Sequence, residues 1–326
     1  MKAIVIKDKN LYWETVSDPL LKEDEVLIKV HYAGINRADI LQRDGKYSPP
    51  PGASNIMGLE ISGEIVRMGI IAEREGRFKI GDKVCALLGG GGYAQYVAVK
   101  SCMVMPVPEN CSMLEAAAIP EAFAAAYMML FTEGGLKKGN TVLVTAGASG
   151  LASVLIPMAK TFGARVFTTI HRDELYDGVA ALKPDYIINT SRESLEHVMK
   201  TEMEKGTPID VAIDCLGGDI PAQCLPYMQM YGRWIVIASL AGDVVPVDFR
   251  MLYIRNVRVI GTTLRSRTDR FKGELLQKLI KEFWRKIAGG KLKPHVYAEY
   301  SIKDVAKAHD LLLAGKNIGK VVLKVS

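Results

Sequence analysis

The stretch TVLVTAGASGLASVLIPMAK, from Thr141 to Lys160, decides the fold. Its first residues, TVLVTA, are apolar and β-branched, which predicts a buried strand, and a helix is predicted over roughly Gly150–Phe162. Between them stands Gly147-x-x-Gly150-x-Ala152, a corner with only small side chains at these three positions. Backbone N–H groups in such a corner can approach a phosphate closely, and the helix N-terminus attracts the anion. The stretch therefore predicts the first strand–turn–helix unit of a dinucleotide-binding fold.

Two residues depart from the usual pattern of this unit. Ala152 stands where a third glycine commonly packs the helix against the sheet, and its methyl group adds only a small steric load. Pro157 lies inside the predicted helix, where it removes one backbone hydrogen bond and predicts a kink. The turn is still the expected cofactor phosphate site, with the contact residues Gly147, Ser149, Gly150, Leu151 and Ala152.

The sequence on either side of this unit indicates two domains. From Thr141 onward, predicted strands (ARVFTTI, DYIINT, IDVAIDCLGG, GRWIVIAS and VRVIGTTL) alternate with predicted helices, which indicates a parallel sheet covered by helices. Before Pro120, many short strand-like runs broken by glycine predict a compact β-barrel-type domain. EAFAAAYMMLF predicts a helix between the two regions, and an amphipathic helix is predicted after Arg267. The last strand, GKVVLKV, is expected to return to the first domain.

Composition narrows the functional class. The 326 residues suggest two domains, and 49% hydrophobic with 24% charged residues is typical of a soluble globular protein. No run of 18 apolar residues or signal peptide is found, so no membrane association is expected. Five scattered cysteines are typical of reduced thiols and indicate a cytoplasmic protein. The net charge of +6 is spread without a basic block or an aromatic-plus-basic stripe, which argues against nucleic-acid binding.

The end of the second parallel strand, RVFTTI, bears on the choice of coenzyme. NAD-specific domains place a carboxylate near this position, where it binds the ribose 2′-hydroxyl. Here His171 and Arg172 come first, and Asp173 follows. Because arginine can pair with a 2′-phosphate, NADPH is favoured over NADH. The alternative is that His171 and Arg172 are surface residues and that Asp173 reaches back to the ribose.

The chain resembles the zinc-independent quinone oxidoreductases of the medium-chain dehydrogenase/reductase superfamily. The likeness spans nearly the whole chain and is carried by Asn36–Gly63, Ala116–Phe123 (AAAIPEAF), Thr263–Arg267 (TLRSR) and Asn317–Leu323 (NIGKVVL). It implies an α/β protein with a GroES-like β-barrel-type domain, residues 1–120 and 268–326. The remaining residues, 121–267, would form a Rossmann domain with a doubly wound parallel sheet. The active site would lie in the cleft between the domains.

The resemblance also bears on zinc. Zinc-dependent relatives place a cysteine ligand where Asn36 stands and a Gly-His-Glu motif where Gly58-Leu59-Glu60 stands. Leucine cannot bind zinc, asparagine is a poor substitute for a thiolate, and the five histidines show no metal-like spacing. No metal is therefore expected.

The resemblance implies that a hydride passes from NADPH to a small molecule, either a quinone or an activated alkene. Asn36 and Tyr47 would contact this acceptor, and Tyr47 could donate a hydrogen bond or a proton to its reduced form. The alternative for Tyr47 is a turn aromatic packed on the SPPPG loop. For Asn36 the alternative is turn capping.

Further cofactor contacts are implied at the ends of successive strands. Arg172 and Lys320 are both candidates for the 2′-phosphate, with a surface lysine as the alternative for Lys320; Asp214 is a candidate structural residue. Relatives often carry a tyrosine at Thr190 that touches this phosphate. The implied contacts are Cys215, Leu216 and Gly217 near the ribose and adenine, Ser239, Leu240 and Ala241 near the nicotinamide, Thr263, Leu264 and Arg265 beside the carboxamide, and His171, Arg172, Thr190 and Lys320 near the phosphates.

Two other functions stay open from the sequence. A 2-alkenal or enoyl reductase would use the same scaffold and cofactor. A cofactor-binding protein without enzymatic activity, either an RNA-binding protein or a scaffold, belongs to a different class. The resemblance also implies a homodimer that pairs two sheets edge to edge through the strand in RNVRVIGTTL.

Overall fold

The computed structural model describes all 326 residues of the chain, which divide into two compact units. The first unit contains Met1–Ala124 and Arg265–Ser326, and the second contains Ala125–Leu264. The first unit is discontinuous because the last strand returns to it. All five cysteines are free thiols. None of the helices has the length and apolar character needed to span a bilayer.

The secondary structure comprises strands β1–β15 and α-helices α1–α11. The strands are β1 (Lys2–Lys7), β2 (Asn10–Thr15), β3 (Glu25–Gly34), β4 (Glu60–Met68), β5 (Lys83–Leu87), β6 (Tyr96–Lys100), β7 (Val104–Pro106), β8 (Thr141–Val144), β9 (Arg165–Ile170), β10 (Tyr186–Asn189), β11 (Val211–Asp214), β12 (Arg233–Val236), β13 (Arg258–Gly261), β14 (Val296–Ser301) and β15 (Lys320–Lys324). The helices are α1 (Arg37–Arg43), α2 (Ile70–Arg74), α3 (Met113–Ala116), α4 (Pro120–Tyr127), α5 (Ala152–Phe162), α6 (Tyr176–Ala180), α7 (Leu195–Glu204), α8 (Ile220–Cys224), α9 (Phe249–Arg255), α10 (Asp269–Ala288) and α11 (Val305–Leu313).

The first unit is built on a seven-stranded mixed sheet in the order β14-β15-β3-β4-β5-β7, with β6 also paired to β3. The central strand β3 reads EVLIKVHYAG, and Val26, Ile28 and Val30 on one of its faces are fully buried. β15 runs antiparallel to β3 and pairs Val322 with Gly34. The C-terminal strand therefore brings the start of β15 next to the end of β3.

The second unit contains the six-stranded parallel sheet that the alternating pattern predicts. Its order is β10-β9-β8-β11-β12-β13, and every neighbouring pair is parallel. The chain moves outward in one direction from β8 to β10, and then in the other direction from β11 to β13. The strand order therefore reverses between β8 and β11, which is where open α/β sheets bind their ligands.

One predicted helix is divided in the structure. α4 ends at Tyr127, and Met128–Glu133 continue as a π-helix whose end is marked by a hydrogen bond from the Gly134 N–H to the Met129 carbonyl (2.9 Å). An apolar run suits either form because both bury the same kind of side chain, so the sequence pattern does not separate them. α5 continues from Ala152 to Phe162 with Pro157 inside it.

Trp234 is the largest fully buried side chain in the core of the second unit. Its side chain is fully buried among residues of the sheet and of the covering helices, including Phe167, Leu195 and Leu225. The indole Nε1 donates a hydrogen bond to the buried Oδ2 of Asp214 (3.3 Å), at the end of β11. Trp234 therefore supports both the core and the turn that follows β11.

We expect Trp234→Phe to destabilise the second unit by about 1–3 kcal/mol, because Asp214 Oδ2 loses the indole donor while buried. The measurement is hydrogen exchange of the amides of β11 and β12, together with thermal unfolding. Trp284→Phe is the matched control, since the buried Nε1 of Trp284 has no hydrogen-bond partner. Equal effects of the two substitutions would contradict the role given to the Trp234 hydrogen bond.

Candidate functional site

The turn between β8 and α5 requires glycine at position 147. A Cβ atom on Gly147 would lie 2.4 Å from Thr168 Oγ1 of the neighbouring strand, so no side chain fits there. The Gly147 N–H donates to the Thr169 carbonyl (2.8 Å), which holds the turn against β9. Ser149 Oγ accepts a hydrogen bond from the Ala152 N–H (3.0 Å) at the start of α5. The methyl group of Ala152 is buried, as a position packed against the sheet requires.

Three backbone donors of this turn have no partner within the chain. They are the N–H groups of Ala148, Gly150 and Leu151, which precede the first residue of α5. Unpaired N–H groups at a helix N-terminus, reinforced by the helix dipole, form a binding site for an anion. The turn also follows β8, one of the two strands between which the strand order reverses. These residues fit the pyrophosphate of a dinucleotide.

The residues after β9 bear on the coenzyme. His171 is exposed and Arg172 is partly exposed, and they are the first and second residues after β9. The carboxylate of Asp173 accepts hydrogen bonds from Asn189 Nδ2 (2.5 Å) and from the guanidinium of Arg192. A ribose hydroxyl would have to compete with these two donors for Asp173. Thr190 is exposed, and its Oγ1 donates to the Ile170 carbonyl (3.1 Å).

Asp214 organises the turn Cys215-Leu216-Gly217. Its fully buried carboxylate accepts hydrogen bonds from the Thr145 hydroxyl (3.0 Å) and from the N–H groups of Leu216 (2.9 Å) and Gly217 (3.2 Å). Asp214 therefore has a structural role, which is to hold this turn. Burial raises the pKa of the Cys215 thiol to about 11, which leaves this thiol protonated at neutral pH.

The turns after β11 and β12 are joined to each other. The Leu240 N–H donates to the Cys215 carbonyl (3.2 Å), and the Ala241 N–H donates to the Leu216 carbonyl (2.7 Å). Ser239 Oγ donates to the carboxylate of Asp243. Thr263 and Leu264 follow β13, and the Thr262 N–H donates to the Val236 carbonyl (3.0 Å). The cofactor residues proposed in the second unit therefore all follow the carboxyl ends of its strands.

A buried ion pair holds Asn36 in the first unit. The Lys320 ammonium lies 2.6 Å from Glu60 Oε1, and the two side chains are 4% and 0% exposed. Lys320 also donates to Asn36 Oδ1 (2.6 Å) and to the Ile35 carbonyl (2.8 Å). Asn36 Nδ2 in turn donates to Glu60 Oε1 (3.0 Å). The return of β15 to β3 is what places Lys320 at this point.

This placement disagrees with the phosphate role expected of Lys320. An ammonium group has three N–H donors, and the three acceptors named above use all of them. Lys320 is buried, so it is not the surface lysine of the alternative interpretation either. The sequence pattern could not show this, because the partner residues Glu60 and Asn36 lie far from Lys320 along the chain.

Arg265 also differs from its expected place. It belongs to the first unit, is buried, and donates to the Gly89 carbonyl (2.8 Å) and to Gln42 Oε1 (2.7 Å). Its guanidinium lies 5.2 Å from the centre of the Tyr47 ring, a cation–π contact. Arg265 thus links the Tyr47 ring to Gln42, which is the second-to-last residue of α1. Tyr47 is partly exposed, and its hydroxyl has no partner in the chain.

Two carboxyl groups near this cluster have raised pKa values. Burial raises the pKa of Asp39 to about 6, although the Asn36 and Gly58 N–H groups and the Tyr93 hydroxyl oppose this shift. Burial, followed by the nearby charge of Glu60, raises the pKa of Glu121 to about 8. The backbone N–H of Glu121 donates to Glu60 Oε2 (2.9 Å). Glu121 is therefore mostly protonated at neutral pH.

Sequence reasoning did not assign Glu60, Glu121 or Gln42 to the site. Glu60 entered only as part of the Gly-Leu-Glu sequence, and Glu121 only as part of AAAIPEAF. The available signal was chemical. Glu60 is a charged residue in an otherwise apolar stretch, next to Leu59, and the fold buries this stretch. A buried carboxylate requires a partner, which the structure identifies as Lys320.

Comparison with known proteins agrees with this architecture. Residues 22–109 match the model of the alcohol dehydrogenase GroES-like domain, and residues 182–323 match the model of the zinc-binding dehydrogenase family. The chain is 31% identical to the quinone oxidoreductase-like protein 2 homolog of Nematostella vectensis, over 99% of this chain and 86% of that protein. The chain belongs to the medium-chain dehydrogenase/reductase superfamily. The fold predicted from its sequence is confirmed.

Solved structures share the fold at lower identity. A mycobacterial protein solved in complex with NADPH has a TM-score of 0.86 and is 24% identical, with 100% of both chains covered. An enoyl reductase solved in its apo form has a TM-score of 0.87 and is 22% identical, with 100% of this chain and 99% of that chain covered. At these identities the likeness establishes the fold alone.

The residues of this chain do not fit the zinc ion that one family description names. The carboxylate of Glu60 is paired with an ammonium group, and Leu59 beside it has no donor atom. No three His, Cys, Asp or Glu side chains are grouped so that they could hold a metal ion. The Lys320 ammonium group already provides a positive charge at Glu60, and it would repel a metal cation bound there.

Leu151→Pro tests the phosphate turn. Proline removes the unpaired N–H of Leu151, but it is tolerated just before or at the first residue of a helix. We expect NADPH binding to weaken roughly 10- to 100-fold. This is the effect of losing one hydrogen bond to a charged group, which contributes about 1.5–3 kcal/mol. Calorimetric titration measures it, with Leu151→Ala as the control that keeps the N–H. Equal affinities of the two variants would contradict the phosphate site.

Glu121→Gln tests the raised pKa of Glu121. A carboxyl whose pKa is higher in the folded state stabilises the fold below its ordinary pKa, and this stability is lost as the pH rises through about 8. Wild type should therefore lose thermal stability relative to Glu121→Gln between about pH 5 and pH 9. Calorimetry of both proteins measures this, with the exposed Glu274→Gln as the control. Parallel curves for wild type and Glu121→Gln would contradict the assignment.

Proposed function

We propose that the chain is an NADPH-dependent, zinc-independent quinone oxidoreductase. The observation that carries this proposal is the anion site with three unpaired N–H donors at the start of α5, next to the reversal of strand order. The chain that carries this site shares its superfamily with a protein named quinone oxidoreductase-like. A dinucleotide bound there supplies the hydride, and the acceptor is a small molecule.

The residues of the chain have separate tasks in this reaction. The turn residues before α5 bind the pyrophosphate, and Arg172 pairs with the 2′-phosphate. Asn36 Nδ2 donates a hydrogen bond to the acceptor oxygen, which becomes negative as the hydride arrives. The Tyr47 hydroxyl then gives this oxygen its proton, so that a quinone gains one hydride and one proton and becomes the hydroquinone, and solvent returns a proton to Tyr47.

The coenzyme preference rests on the surroundings of Asp173. Its carboxylate is bound by Asn189 and Arg192, whereas Arg172 lies two residues after the end of β9. This arrangement supports NADPH over NADH. The NADPH complex of the mycobacterial protein of the same fold is in line with this choice.

A second candidate reaction is the reduction of a 2-alkenal or an enoyl thioester. The enoyl reductase with the same fold favours it. In that case the hydride is added to carbon, the oxygen binds the same Asn36 donor, and another carbon must be protonated. Parallel assays with an ortho-quinone and a 2-alkenal separate the two reactions.

We also propose that two copies of the chain pair through β13. Apolar side chains near this edge strand are exposed, among them Val259 (48%), Phe249 (77%) and Tyr253 (67%). An unpaired edge of this kind is a template for sheet extension by a second copy.

Titrations of the purified protein with NADPH and NADH test the cofactor, followed by turnover with an ortho-quinone. We expect NADPH to bind at least about tenfold more tightly, or 1.4 kcal/mol, and Arg172→Ala to remove this preference. Lys200→Ala, which removes an exposed positive charge from α7, is the control. Tighter binding of NADH would contradict the 2′-phosphate contact. Binding without turnover of a quinone or an alkenal would favour the non-enzymatic alternative.

A further inference from the structure

The amide of Asn36 has only one possible orientation in this structure. Lys320 can only donate hydrogen bonds, so the atom of Asn36 that faces it (2.6 Å) must be the oxygen. The carboxylate of Glu60 accepts, so the atom that faces it (3.0 Å) must be the nitrogen. The usual ambiguity between amide oxygen and nitrogen is therefore removed by chemistry rather than by distance alone.

This orientation determines what Asn36 still offers to a ligand. Nδ2 carries two hydrogens, and Glu60 accepts only one of them, so the other has no partner in the chain. Oδ1 lies against an ammonium group, which weakens it as an acceptor for a further donor. The same charge polarises the amide and strengthens the remaining N–H as a donor. Asn36 is partly exposed, whereas Lys320 and Glu60 are almost wholly buried.

We propose that Lys320 and Glu60 are positioning residues that lock Asn36 as a hydrogen-bond donor. The ligand group that this donor selects is an acceptor oxygen, such as the carbonyl of a quinone or enone and the oxyanion formed from it. The inference deepens the proposed function and rests on it. It gives the buried ion pair a task in substrate selection that a merely structural ion pair would not have.

A mutational cycle tests the coupling between the ion pair and Asn36. Lys320→Met alone would leave Glu60 buried without a counter-charge, so the pair is neutralised together as Lys320→Met/Glu60→Gln. We expect this double variant to lose about 10- to 100-fold in kcat/KM for an ortho-quinone, with an NADPH dissociation constant within about threefold of wild type. In an Asn36→Ala background the same double change should cost nothing further.

Two outcomes of the cycle would overturn the proposal. An equal loss with and without Asn36 would mean that the ion pair acts on the fold alone. A large loss of NADPH affinity would mean that Lys320 serves the cofactor. Arg165→Met/Glu202→Gln is the matched control, because it neutralises an ion pair of 2.6 Å in the second unit, at the amino end of β9.

A spectroscopic measurement keeps this test independent of activity. In protein labelled with ¹⁵N-asparagine, Asn36→Ala assigns the side-chain signals of Asn36. We expect two well-separated amide protons in wild type, one of them slow to exchange with solvent, and loss of both features in Lys320→Met/Glu60→Gln. Unchanged signals in the variant would overturn the proposal. If wild type bound NADPH but reduced no acceptor, the proposed function would fail while these signals still reported the locked amide.

Discussion

The candidate site depends on the ion pair between Lys320 and Glu60. Removing two charges from water is unfavourable, and such a pair persists only when the remaining hydrogen-bonding groups are satisfied. Here Asn36 and the Ile35 carbonyl complete the shell around the ammonium group. Lys320 is the first residue of the last strand, and Glu60 is the first residue of β4. The pair therefore also joins the end of the chain to its N-terminal part. The closure of the discontinuous unit and the substrate positioning that we propose therefore depend on one interaction.

The second unit follows a different physical rule. Its candidate site consists of backbone groups at the carboxyl ends of parallel strands, and the side chains mainly hold the turns in place. Asp214 does so for the turn after β11, and Thr168 enforces glycine at position 147. Such a site tolerates Ala152 in place of glycine, because the methyl group packs inward and leaves the unpaired N–H groups unchanged.

The sequence was sufficient to predict the fold, and the backbone part of the site stays a prediction. Strand and helix periodicity predicted the alternating unit, and the glycines and alanines between Gly147 and Ala152 indicated the proposed phosphate turn. It was not sufficient for Lys320, Arg265 and Glu121, because their roles depend on partners that are distant along the chain. Glu60 and Gln42 become partners only when β15 and the segment after β13 return to the first unit. Local pattern carries no information on such pairs.

The most direct test of this account is a crystal structure of the dead-end complex with NADP⁺ and an ortho-quinone. The account predicts a quinone oxygen within about 2.7–3.2 Å of Asn36 Nδ2, with Lys320 still bound to Glu60 and Asn36 Oδ1. A quinone bound away from Asn36, or Lys320 turned onto the 2′-phosphate, would contradict it.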